Sequence, residues 1–163
     1  MDRRQLAELV HTDLEGILDR TRTAYIERVT RLTSMPPELV EGVLEATRRG
    51  MRQFLRYYVE GTLDADAWRV VRDATIERAG EVFTQDEILE FIAIARATAS
   101  DAVHHIGDLH PDLPPRERDQ IGSAMDRYVE ELALQEDTLR RVTPPGDIDL
   151  VLSQLEADGA DLQ

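Results

Sequence analysis

Cysteine is absent from this chain of 163 residues. That removes disulfides, thiolate metal sites and thiol nucleophiles together. Aromatic residues are scarce at 5%, so a core has to be built mainly from Leu, Ile, Val and Ala. Positive charge is in short supply too: 19 Lys and Arg stand against 33 Asp and Glu, a formal net charge of −14. A chain of that sign repels phosphate backbones, and specific nucleic-acid binding usually needs a basic patch, so no direct nucleic-acid partner is expected. Long apolar runs are missing as well. No window offers the roughly 18 unbroken apolar residues of a membrane span. The start, MDRRQLAELVHTDLEG, has basic residues but no apolar stretch of the kind a secretion signal requires. A cytoplasmic protein without a membrane partner is the expectation.

What is present is a hydrophobic fraction of 42%, enough for a core and too high for a disordered chain. Apolar residues recur at helical spacing throughout, and none alternate with period two over a useful length. The first helix is predicted from about Arg4 to Leu32, with Gly16 as a point where it bends. SMPPELVEG restarts a helix whose first turn tolerates prolines, and this second helix runs to near Gly61. TLDADAWRVVRDATIERAG reads as a third helix, closed by Gly80. Thr84 with Glu87 three residues on forms a capping box that opens a fourth. This fourth helix carries Ile88, Leu89, Phe91, Ile92, Ile94 and a series of alanines, apolar over most of its circumference, which places it inside. A Gly- and Pro-marked loop, HHIGDLHPDLPPRE, separates it from a fifth helix over about Pro115 to Val142. TPPGD then breaks the chain before a short amphipathic tail helix, Asp147 to Ala157. The expected architecture is all-α: a single-domain bundle of about five to six helices around a buried central helix. Residues 1–143 form the domain and 144–163 a linker with the tail helix.

Candidate chemistry is thin. Glu8/His11 and Asp101/His104 are acid-x-x-His pairs, the spacing by which bundle helices bridge two metals. The lone glutamates that such a centre also needs are not met in order by Glu41 and Glu45, and no metal site is assigned. His104, His105 and His110 cluster, as zinc or haem ligands do. A solvated helix end, where His interacts well with the helix dipole, explains the same cluster. No nucleophile elbow, P-loop or dinucleotide fingerprint occurs, so catalysis has no visible carrier and no cofactor is assigned. Arg78, in the last turn before Gly80, can bind a ligand carboxylate or phosphate; pairing with Asp86 or Glu87 is the alternative. Trp68 reads as a core anchor or a ligand stacker.

The fifth helix carries the most regular signal. Ile121, Met125, Tyr128, Leu132, Gln135, Leu139 and Val142 alternate four and three apart, a heptad seam with one polar member. It serves either a homodimer interface or closure of the bundle core, since both use that spacing.

The chain as a whole resembles the N-terminal domain of actinobacterial PucR/CdaR-type transcriptional regulators, related to the N-terminal region of RsbR-type stressosome proteins. The resemblance rests on LAELVHTDLEGILD, on RQFLRYYVEG, and above all on RAGEVFTQDEILEFIAIARATASDAV, and it covers about Leu6 to Val142. Departures are Val82, where the family commonly has Gly, and Ile92-Ala93, where it has an aromatic-Arg pair. No basic recognition helix appears before Gln163, so a sensor part of a longer regulator or a free-standing relative is expected. The resemblance implies a non-catalytic signal-input and dimerisation domain, with a globin-related helical fold as one form. A small ligand or partner surface among the second, third and fourth helices follows from it, with Trp68, Arg78, Phe91 and His104 as the side chains assigned. A haem- or metal-binding globin-like sensor using His104 or His105, or a scaffold without ligand, is the alternative.

Overall fold

A computed structural model describes residues 1–61 and 82–142, and for 132, 133 and 135–142 the backbone alone. Five α-helices are described: α1 (Arg3–Thr12), α2 (Leu14–Arg28), α3 (Pro37–Glu60), α4 (Gln85–Leu109) and α5 (Pro115–Val142), with a 3₁₀ turn at Thr30–Ser34. No strand occurs among the described residues, and the fold is an all-α helical bundle. The third helix expected from sequence and the tail helix both lie outside the described residues. The chain divides into two compact units, Met1–Val129 and Glu130–Gln163. All the buried side chains described belong to the first.

Local chemistry sets the helix ends. Asp2 accepts from the Gln5 amide while the Gln5 side chain accepts from the Asp2 amide, each at 2.8 Å, a reciprocal cap that starts α1. The long first helix expected from sequence is interrupted at Asp13, three residues before the glycine expected to bend it. The Asp13 carboxylate folds back over Gly16, where an added Cβ would come within 2.6 Å of it, and pairs with Arg20 at 2.9 Å. Gly16 makes the room and Asp13 makes the break. After α2, the 3₁₀ turn drops Leu32 into the core. Pro36 and Pro37 then open α3, and Gly61 at φ +78° ends it in the left-handed conformation that only Gly adopts without strain. Thr84 and Glu87 form the expected capping box at the start of α4.

The loop expected around Gly107 is not one. α4 continues through His104, His105 and Gly107 to Leu109, and Gly107 is buried in its last turn. The Arg118 guanidinium lies against it, Nη2 donating to the Gly107 carbonyl at 2.8 Å, and a Cβ at 107 would collide with that group. Close approach of a side chain, not chain reversal, is what this glycine serves.

The core has an aromatic centre between α2 and α4. Phe91 meets Tyr25 edge-on at 4.9 Å and Phe83 at 5.0 Å, surrounded by Val29, Leu32, Leu44, Ile88 and Ile94. Buried polar groups here are satisfied across helices. The Thr21 and Thr98 hydroxyls bond at 2.7 Å, and Tyr25 bonds Thr47 at 2.8 Å while Thr47 donates to the Val43 carbonyl. α4 supplies eight buried residues, in line with its apolar sequence. Its remaining stripe, Leu89, Ala93, Ala97 and Asp101, is exposed.

Candidate functional site

At the other end of the first unit, the start of α1, the end of α3 and the first half of α5 border a half-open cleft of about 550 Å³. Its placement follows from the caps. Asp2 fixes the first turn of α1 and so brings Arg3 to the end of α3, where the last helical carbonyls have no partner within the helix. Arg3 Nη1 donates to the Tyr58 carbonyl at 3.4 Å and Nη2 to Gln120 Oε1 at 2.9 Å. Its guanidinium also lies 4.9 Å over the Tyr58 ring, a cation–π contact. One arginine thus joins three helices.

Tyr58 itself is buried, and its hydroxyl donates to Glu117 at 2.9 Å. Burial first, and the Glu117 carboxylate second, keep this phenol protonated well above the ordinary tyrosine range. Gly61 turns the backbone away at the rim, its amide donating to the Tyr57 carbonyl at 2.8 Å. The facing wall is one side of α5: Arg116, Gln120, Ser123 and Arg127 at three- and four-residue spacing, with Asp119 beside Gln120. Arg116 and Arg127 are exposed, and Tyr57 is half-buried.

The charge of this cleft sets it apart. Every basic side chain in the chain, apart from the four histidines, is an arginine. Most of the described arginines reach a carboxylate, from Arg20–Asp13 to Arg31–Glu87 and Arg118–Asp108. Among the described residues, Arg3, Arg4, Arg52, Arg116 and Arg127 have no carboxylate within ion-pair distance. Three of those five line the cleft. Against them stands Asp119, so the lining is net positive in a strongly negative chain.

Most of the residues singled out from sequence are elsewhere. Phe91 is part of the core, its ring enclosed by Tyr25 and Phe83 and away from the cleft. His104 and His105 are exposed in the last turns of α4. Glu8, His11 and Asp101 are exposed as well. Glu41 pairs with Arg22, and Glu45 with Arg48 and Arg49. Among the described residues no group of three or more His, Asp and Glu side chains is placed to hold a metal. Trp68 and Arg78 lie outside the described residues, and Glu87, one partner expected for Arg78, is held by Arg31. Of the heptad seam, Ile121, Met125 and Tyr128 are buried within the chain, Tyr128 donating to the Gly50 carbonyl at 2.9 Å. Those three close the core. The side chains of Leu132, Gln135 and Leu139 lie outside the described residues.

Comparison with known protein families, with curated proteins and with solved structures returns no match. The cleft has to be read from its own chemistry. Sequence reasoning missed it because its members come from three distant segments. The one local trace is Arg116, Gln120, Ser123 and Arg127 recurring at helical spacing on the side of α5 away from the seam.

Proposed function

We propose that this chain is a non-catalytic, cytoplasmic signal-input and dimerisation domain of a bacterial transcriptional regulator of the PucR/CdaR type, taking a small ligand in the arginine-lined cleft. The observation that carries the reading is the cleft's construction. Its walls are the ends of α1 and α3 and one face of α5, joined through Arg3 and through Tyr58–Glu117. A ligand that draws Arg3 from Gln120 alters how these three helices are held together, and differential contact of this kind is what shifts a packing equilibrium. α5 is the output element in this reading, since it supplies one wall of the cleft and continues in sequence to the distal heptad positions. The family resemblance supports the regulatory role, and the distal heptad positions Leu132, Gln135 and Leu139 are the proposed dimer contact.

Molar mass by light scattering over a dilution series, wild type beside Leu132→Asp, tests the dimer. A wild-type dimer and a folded monomeric variant are expected. A wild type that stays monomeric at every concentration would remove dimerisation from the reading and leave the cleft without an output partner.

A further inference from the structure

The cleft's arrangement of charge says more than that it binds something. Arginine presents a rigid planar fork that grips phosphate or carboxylate through two parallel hydrogen bonds. Where such a group has no carboxylate partner in the protein, it is free to take one from a ligand. Arg116 and Arg127 meet that condition among the described residues, at opposite ends of one wall. Eleven residues of helix separate them, about 16 Å between backbones at 1.5 Å per residue. Side chains on one helix all tilt toward its N-terminus, so the two arginines do not converge on one point and a single small anion is not shared by both.

Between the two arginines the wall is different. Asp119, Gln120 and Ser123 face the same cleft. Asp119 is an obligate acceptor when ionised, Gln120 and Ser123 both donate and accept. Asp119, one turn along α5 from Arg116, opposes a further anionic group between the two arginines and suits hydroxyls there. A volume of about 550 Å³ falls inside the range of small-molecule sites, roughly 300–1,000 Å³. Arg3 lies across from this wall, held by Gln120 and Tyr58 in the absence of a better acceptor.

We propose that the cleft binds a small molecule with an anionic group at each end of a hydroxylated spacer, of the sugar-bisphosphate type, with Arg116 and Arg127 taking the two ends and Asp119, Gln120 and Ser123 the spacer between them. This rests on the ligand-input reading above and names the ligand class for it.

Isothermal titration calorimetry of the whole chain with fructose 1,6-bisphosphate tests it, with inorganic phosphate and the dicarboxylate suberate as comparisons. The expected result is saturable 1:1 binding by the bisphosphate with Kd below about 1 mM. Inorganic phosphate binds far more weakly. Arg116→Ala and Arg127→Ala each lower bisphosphate affinity roughly tenfold or more, the loss expected for a charge-assisted hydrogen-bonded pair. Arg52→Ala, which removes an exposed arginine outside the cleft that makes no direct ion pair among the described residues, leaves the affinity unchanged. No saturable heat, an equal loss in Arg52→Ala, or suberate binding as tightly as the bisphosphate would each overturn the proposal. Failure here is separable from failure of the signalling role. Bisphosphate bound as expected, with molar mass and α5 amide exchange unmoved, upholds the site and sinks the signalling; no binding sinks the site and leaves the dimer measurement as it was.

Discussion

The two ends of the first unit are both built around aromatic rings, and they treat polar groups in opposite ways. Between α2 and α4, Tyr25, Phe83 and Phe91 pack edge to face, and each hydroxyl nearby has a partner on another helix or on its own backbone. At the α1–α3–α5 end, Tyr57 and Tyr58 border open space, and arginines stand there without carboxylates. The first arrangement follows the rule that buried polar groups must be hydrogen-bonded, and it yields stability. The second leaves hydrogen-bonding capacity unspent on the protein. Such capacity contributes little to folding and a good deal to binding. The α2–α4 end therefore holds the chain together, while the α1–α3–α5 end keeps polar groups facing solvent.

The largest effect expected from that contrast is on stability at the aromatic centre. Phe91→Ala empties a site enclosed by two rings and by Ile88 and Ile94, and such truncations cost about 3–5 kcal/mol. Urea unfolding followed by circular dichroism reads it directly. A loss below about 1 kcal/mol, the scale of a surface change, would break the comparison, because the α2–α4 end would then not be the structural one.

A smaller effect comes from the rim of the same end. Arg31 grips both oxygens of Glu87, at 2.9 and 2.6 Å, while Glu87 completes the cap of α4. The hydrogen bonds from Arg31 are the largest influence and hold the Glu87 carboxyl below its ordinary value of 4.5; burial, next in size, opposes them, and the Thr84 amide adds a smaller lowering. A depressed folded-state pKa means that the stabilisation is fully present above about pH 4.5 and is lost as pH falls through the lower folded-state value. Glu87→Gln keeps the cap acceptor and removes the charge. Its expected cost is on the order of 1 kcal/mol at pH 7, shrinking toward zero in acid, because Arg31 is half exposed and water screens the pair. Wild type and variant losing stability in parallel below pH 4.5 would show that Glu87 is not a source of the acid sensitivity.

How far the sequence reaches follows the same divide. The aromatic end was legible because its signals are local: Thr84 and Glu87 are three residues apart, and Ile88, Phe91 and Ile94 repeat at helical spacing on one segment. The ends of α3 were legible for the same reason, from Pro37 and Gly61. Even there, a ring such as Phe91 cannot be assigned to core or ligand without knowing its neighbours, and Tyr25 and Phe83 come from either side of a long stretch of chain. The interruption at Asp13 was hidden because it depends on where one carboxylate folds, and Gly107 misled because a glycine reads as a turn unless the Arg118 that packs on it is known. The cleft was illegible because Arg3, Tyr58 and Arg116 are joined only by folding.

The smallest effect is the one that sharpens the comparison most. Replacing both Arg116 and Arg127 by Ala removes two charges from the cleft wall, and the stability of the unliganded chain is expected to move by no more than about 0.5 kcal/mol. Neither side chain gives up an ion pair among the described residues, both are exposed, and alanine is the better helix former. Arg116 also sits in the first turn of α5, where a positive charge opposes the helix dipole, so its removal brings a small gain. Set against these is added self-repulsion as the net charge of −14 becomes more negative, an effect that salt screens. The check is the urea midpoint of the double variant at low and at moderate salt. An unchanged midpoint together with lost bisphosphate binding assigns these arginines to the ligand. A loss above about 1 kcal/mol that salt does not relieve would instead assign them to structure, and the two ends of the unit would no longer differ in kind.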